Sequence, residues 1–414
     1  MRSLKTTNMK FCLLVISFFV VLTASAQLAF KNDNVLYNAV FLNDAFRLME
    51  REKDFLLLDV RSPGEYADTS THTALNIGRL KGAKNIDVNA VAGRLSEING
   101  YKDKPVFIYC SHSQRSRRVS KLLSENGFKK IYNINGGMSV VNEMDPSRFP
   151  YKDKVLEVHT NYKNIASVEA ADLIRNTPDL VIIDIRGEPE FASRDTLAQN
   201  NFGRLKNAIN IPQAVFTDKF DSYHISANKP VLLYDLYGDN SMDVIPFLRS
   251  KGFTRIYNLY EGLNAFSCDH AVANLRTKLF INQPAYRLID PQAAITLLSS
   301  HANILVVDTR PEEEFENKAP ESFHNLGRIK NAININTTEA LEKLMQQHTK
   351  DQPILVYGGM SPESGYNTCE ALAKKGFNNV YLLSQGLYRF VWATANVEDC
   401  KPGRALLTNH EGLY

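Results

Sequence analysis

The chain has 414 residues, with 48 lysines and arginines against 45 aspartates and glutamates, and its formal charge of +3 is too near balance to argue for nucleic acid or an anionic membrane as a partner. That length exceeds one ordinary core and points to roughly two to four domains, while a hydrophobic fraction of 44 % excludes a disordered or fibrous chain. Five cysteines in so long a chain are too few for a disulfide scaffold.

At the N-terminus, Arg2, Lys5 and Lys10 precede an apolar run from Phe11 to Leu22, and Ala24-Ser25-Ala26 supplies small residues before Gln27. Residues 1–26 therefore read as a secretory signal peptide, and the mature chain is expected to be exported, to a periplasm or the medium. A membrane anchor is the alternative, but the run falls short of the roughly 20 residues that a spanning helix needs. No stable membrane insertion is expected once the signal is gone. Cys12 leaves with it, and Cys110, Cys268, Cys369 and Cys400 remain.

From there the chain repeats itself. LLLDVRSPGEY from Leu56, VIIDIRGEPEF from Val181 and LVVDTRPEEEF from Leu305 are each followed by NIGRLKGAKNI, NFGRLKNAINI or NLGRIKNAINI, from Asn76, Asn201 and Asn325. A third block, PVFIYC, PVLLYD and PILVYG, brings Cys110, Asp235 and Gly358 into register, and a fourth runs from Gly127, Gly252 and Gly376. Periodic repetition of this kind is the signature of tandem structural units.

Within each unit the apolar runs LLLD, FIY and IYNI do not alternate, as expected of strands covered on both faces. Phe41, Ala45, Leu48 and Met49 recur at helical spacing ahead of the first run, and Asn43, Ser167 and Asp290 are the expected N-caps. Strands alternating with helices give an α/β fold, with a mainly parallel five-stranded sheet flanked by helices in each unit. The units are placed at residues 35–148, 155–270 and 284–396, with a tail at 397–414.

Ligands of parallel sheets collect beyond the C-terminal strand ends, and Cys110 stands at such an end. The segment Cys110-Ser111-His112-Ser113-Gln114-Arg115-Ser116 then enters a helical pattern. A thiolate there faces the amides of a turn and the positive end of a helix, so a reactive cysteine is expected.

Cys-x-x-x-x-Arg-Ser after a buried strand, preceded by Asp-x-Arg and followed by NGGM, resembles the rhodanese sulfurtransferase family, and the likeness runs through three tandem domains. The resemblance implies transfer of a sulfane sulfur through a persulfide on Cys110, from a small anionic donor such as thiosulfate to a thiol or cyanide-like acceptor. It implies no metal and no organic cofactor. Ser111, His112, Ser113, Gln114, Arg115 and Ser116 match the family's active loop, whose amides cradle the persulfide, and Arg115 would hold the anionic donor.

Two departures stand out: many members have glycine where this chain has Ser113, which tolerates a positive φ less well, and two-domain members usually carry their cysteine in the last domain. Related phosphatases need five residues between Cys and Arg, and here there are four, so sulfur is favoured over phosphate. The second loop is acidic, with Asp235, Asp239 and Asp243, and the third, Gly358 to Ser364, has no nucleophile at the matching place. Only the first is cationic, and Arg117, Arg118 and Lys121 read equally well as a solvated helix face.

Asp59 with Arg61 recurs as Asp184 with Arg186 and Asp308 with Arg310 in units that lack the loop thiol, which argues for a structural pair, and Arg79, Arg204 and Arg328 are scaffold by the same logic. No His, Cys and carboxylate cluster shows metal-ligand spacing. The alternative to an enzyme is a rhodanese-fold scaffold that recruits a protein partner through its second and third domains.

Overall fold

The computed structural model describes residues 32–359 and 363–409, so the signal segment 1–26, Cys12 and the middle of the third loop lie outside the described residues. The first unit contains β1 (Asn38–Val40), β2 (Leu56–Asp59), β3 (Lys84–Asn85), β4 (Pro105–Tyr109) and β5 (Lys130–Ile134), all parallel, in the order β1-β5-β4-β2-β3. The second repeats it with β6 (Lys163–Ile165), β7 (Val181–Asp184), β8 (Ile209–Asn210), β9 (Val231–Tyr234) and β10 (Ile256–Leu259). In the third, β11 (Arg287–Ile289), β12 (Leu305–Asp308), β13 (Ile333–Asn334), β14 (Ile354–Tyr357) and β15 (Val380–Leu383) take the same places. Every residue of β2, β4, β9 and β14 is buried, which is why their sequences show no alternation.

The repeated motifs hold each unit together. Arg61 is fully buried and grips Asp59 through Nε and Nη2, at 2.7 Å for the shorter Nη2 contact, while donating to the carbonyl of Gly78 at 2.8 Å. Arg186 does the same with Asp184 and Gly203, and Arg310 with Asp308 and Gly327. Each pair thus ties the end of a central strand to the second block.

That block's short strand pairs antiparallel with the chain that leaves its own unit: Arg79–Leu80 with Leu156–Glu157, Arg204–Leu205 with Phe280–Ile281, and Arg328–Ile329 with Leu407–Thr408. Residues 398–408, read from sequence as part of a tail, therefore do for the third unit what the linkers do for the first two. Cys400 and Leu407 of this stretch are buried in the hydrophobic core.

Two of the expected N-caps differ. α1 (Leu42–Arg51) begins before Asn43, whose side chain instead donates to the carbonyl of Arg148 at 3.1 Å. Ser167 is the first residue of α4 (Ser167–Asn176), and the Ala166 amide ahead of it donates to the Glu169 carboxylate at 3.1 Å. In both units a single residue, Phe41 or Ala166, stands between strand and helix at the N-cap, and neither side chain has an acceptor. Asp290 caps as expected, accepting from the Ala293 amide at 2.7 Å. Among the described residues no helix is long and apolar enough to cross a membrane.

Candidate functional site

Cys110 follows β4 directly, and the chain turns through 111–113 into α2 (Gln114–Glu125). The carbonyls of Cys110 and Ser111 accept the amides of Met138 and Ser139 at 2.9 and 3.0 Å, which fastens the loop to α3 (Gly137–Glu143). Gly137 makes this possible: its φ is +54°, and a Cβ there would lie 2.1 Å from the Cys110 carbonyl oxygen. The Gly-Gly-Met segment is thus both a turn and a close backbone approach.

The Cys110 side chain is 1 % exposed and has apolar neighbours from the core that includes Val60, Ile108 and Val119. Its polar neighbour is Arg115. Burial works against the Arg115 charge, but Glu65 and the Cys110 sulfur outweigh it and hold the guanidinium above the ordinary arginine range. Nη1 and Nη2 of Arg115 donate to Glu65 at 2.6 and 2.7 Å, and Nη2 also donates to Ser111 Oγ at 2.6 Å. The sulfur therefore lies covered, with an ion pair beside it.

Ser113 sits at φ +79°, the left-handed region anticipated for this place, and is fully buried. Its Oγ accepts the amide of Gly136 at 2.5 Å, a contact no glycine could make. Ser116 Oγ donates to the Ser113 carbonyl and to Asn133 Oδ1, at 2.9 and 2.6 Å. Gln114 is exposed and His112 opens onto a central chamber, where surrounding protein atoms push its pKa down by desolvation. Arg117 is not on a solvated face: it is buried and paired with Asp33 at 3.1 Å, whereas Arg118 is exposed and Lys121 has Glu125 at 4.0 Å.

The second loop shows what this backbone does with a negative charge. Asp235, in register with Cys110, accepts the amides of Tyr237, Gly238 and Ser241 at 2.7, 2.6 and 2.7 Å. Gly238 has φ +81°, matching Ser113, and the repeat register equates those three amides with His112, Ser113 and Ser116. The turn is an anion cradle, and in the second unit a fixed carboxylate fills it. In the third unit Gly358 occupies the position and brings no side chain.

Several participants escape sequence reasoning. Glu65 recurs as Glu190 and Glu314, but only in the first unit does it meet an arginine of the loop; Glu190 accepts the Gly187 amide at 2.7 Å and Glu314 pairs with His324 at 2.6 Å. That recurrence was the available signal. The third unit also reaches the first loop through α5 (Gly386–Asn396). Asn396 Oδ1 accepts from the Gly136 amide at 3.1 Å and from Arg117 at 3.3 Å, the Ala395 carbonyl accepts from Asn135 at 3.0 Å, and Trp392 donates to the His112 carbonyl at 3.4 Å. No local signal marks these contacts across some 260 residues.

The remaining cysteines are all buried and free among the described residues. Burial pushes the Cys268 and Cys400 thiols up to about 12, which leaves them inert. Asp269, His270 and Asp290 converge in space, which their spacing did not show. Their oxygens already serve the chain: Asp269 accepts the Ala271 amide, and Asp290 accepts from Ala293 and sits 2.6 Å from the His270 ring.

The family described as Rhodanese-like domain matches residues 42–144, 167–268 and 290–392. An uncharacterized protein of Bacillus subtilis, YqhL, is 40 % identical over 81 residues, which are 20 % of this chain and 56 % of that protein, so the chain spans about half of its length. Thiosulfate sulfurtransferase GlpE of Coxiella burnetii is 27 % identical over 115 residues, 27 % of this chain and 94 % of GlpE. Among solved structures, a thiosulfate sulfurtransferase from Pseudomonas aeruginosa is 14 % identical and aligns over 83 % of this chain and 66 % of that one, with a TM-score of 0.23.

Proposed function

The chain belongs to the rhodanese-like domain family, and on that premise we propose that it is an exported sulfurtransferase whose first domain alone carries the reaction. Cys110, as thiolate, attacks the outer sulfur of a donor such as thiosulfate. The donor's S–S bond breaks, sulfite leaves with the electron pair, and the cysteine keeps the sulfane sulfur as a persulfide. An acceptor nucleophile then attacks that outer sulfur, and the Cys110 thiolate is released. No external oxidant or reductant enters either step.

One observation carries this reading: the turn that follows the strand binds a negative charge in the second unit, where Asp235 takes three amides. A Cys110 persulfide anion in the first unit would meet the amides of His112, Ser113 and Ser116, with Arg115 beside it as the positive charge for an anionic donor. Ser111 positions Arg115, and Gln114 opens the helix at the loop's rim. Export rests on the N-terminal pattern of Arg2, Lys5 and Lys10 before Phe11 to Leu22.

The experiment is thiocyanate formation from thiosulfate and cyanide by the purified chain and by Cys110→Ala, with mass spectrometry of the Cys110 peptide. Activity that depends on Cys110 and an added sulfur atom on that peptide are expected. Turnover unchanged in Cys110→Ala would sink the proposal. Cleavage after Ala26, read by N-terminal sequencing of the extracellular or periplasmic protein, tests export.

A further inference from the structure

A chamber of about 490 Å³ lies between the three domains and is walled by all of them. His112 of the first loop, Tyr237 and Asp239 of the second loop, and Tyr366 and Tyr388 of the third domain face into it. Tyr237 and Tyr388 line it and are 44 % and 39 % exposed. Folding gains nothing from leaving them so, and a small-molecule site commonly has such a lining.

The chamber's charge has one sign. Asp239 and Glu261 line it, and among the described residues no lysine or arginine does. Arg389 lies nearby, but its guanidinium is already shared by Glu143 at 2.8 Å and Glu261 at 3.8 Å. An anion entering here is repelled by the carboxylates, whereas a cation is attracted by them and can rest against a tyrosine ring.

One further group points to an occupant. Asn264 is 1 % exposed and lines the chamber. Its Oδ1 accepts from Ser384 Oγ at 2.9 Å, while its Nδ2 has no hydrogen-bond partner among the described residues. A buried amide donor left without an acceptor is costly and uncommon.

We propose that this chamber binds a small organic cation, of the protonated-amine or quaternary-ammonium class, that also carries an oxygen to accept from Asn264. The cation stacks against the tyrosine faces between Asp239 and Glu261, and the oxygen end lies toward Asn264. Because His112 belongs both to the chamber and to the loop after Cys110, such a ligand comes to rest beside the loop and not at Arg115.

Calorimetric titration of the full chain with choline tests this, with 3,3-dimethyl-1-butanol as the uncharged isostere and sulfate as the anion. Saturable choline binding, at least tenfold tighter than the isostere, is expected, with none for sulfate. Asp239→Asn and Tyr388→Leu are each expected to weaken choline about tenfold. No saturable choline binding, an isostere that binds as well, or preferential sulfate binding overturns the proposal, as do variants that bind choline unchanged. The titration is repeated on Cys110→Ala, where choline binding persists, so its outcome is separate from that of the sulfur-transfer assay. Trp392, the only tryptophan of the chain, touches His112 and supplies an intrinsic fluorescence readout.

Discussion

Arg115 offers both of its terminal nitrogens to Glu65, Nη1 to Oε2 at 2.6 Å and Nη2 to Oε1 at 2.7 Å, so the residue expected to hold a donor anion already holds an internal one. Glu65 thereby competes with any anionic substrate for the same fork. Glu65→Gln is expected to lower the KM for thiosulfate several-fold, with kcat changed much less. Steady-state kinetics at fixed ionic strength decide it, and a KM that rises shows that Glu65 only orients Arg115.

The same pair has a pH signature. Burial pushes the Glu65 carboxyl up, but Arg115 and Ser62 outweigh it and hold it at about 2, against 4.5 for the free group. A depressed folded-state pKa contributes stability above pH 4.5 that is lost as the pH falls toward 2, here on the order of 3 kcal/mol. Urea midpoints across that window are expected to fall more steeply for the wild type than for Glu65→Gln. Parallel slopes would contradict the assignment.

Ser113 sets backbone strain against a hydrogen bond. A non-glycine residue in the left-handed region costs about 1–2 kcal/mol, and its bond to Gly136 recovers about 1 kcal/mol. Ser113→Gly removes both and is expected to change stability by less than about 1 kcal/mol. Ser113→Ala keeps the strain and loses the bond, so it is expected to be the less stable of the two, by roughly 1–2 kcal/mol. Chemical denaturation of both variants gives the order, and the reverse order refutes the account.

Asn396 joins the third domain to the first loop through Gly136 and Arg117. Asn396→Ala removes the longer of the two bonds of the Gly136 amide, whose other acceptor is Ser113 Oγ, and one of the several bonds of Arg117, and a loss of about 1 kcal/mol is expected. Sulfur loading of Cys110 is expected to slow with it, since the turn at Gly136 backs the loop. Stopped loading kinetics with thiosulfate separate this from a stability effect alone, because loading that is unchanged at a temperature where the variant is folded removes the positioning role.

Asp235 fills its cradle with its own charge. Asp235→Ala leaves the amides of Tyr237, Gly238 and Ser241 without that acceptor and is expected to destabilise the second domain by several kcal/mol, by roughly one unmet bond per amide. Added sulfate is expected to recover part of the loss for Asp235→Ala and none for the wild type. Thermal unfolding with and without sulfate reads both.

Much of this architecture was legible before any coordinates. Leu56, Val181 and Leu305 open the same strand in three units because a parallel strand covered on both faces is apolar along its length, here up to the closing aspartate. Arg61, Arg186 and Arg310 were readable as scaffold because they recur where no thiol does, and each proves to bind the aspartate two residues before it. The N-caps expected at Asn43 and Ser167 fail because the helices begin earlier, after Phe41 and Ala166, which stand where Asp290 stands in the third unit but carry no side-chain acceptor.

The order of blocks along the chain determined the triplicated α/β fold, and the step from PVFIYC to PVLLYD and PILVYG determined that one unit alone has a thiol at the head of its loop. Both follow from local chemistry, in which side-chain polarity sets burial and residue type sets reactivity. Tertiary packing decided the rest: that Glu65 occupies Arg115, that Asn396 backs the loop from another domain, and that acids and tyrosines from separate units enclose one chamber. Those relationships depend on distances between residues far apart in the chain, and a distance of that kind exists only once the surfaces of three folded units have met.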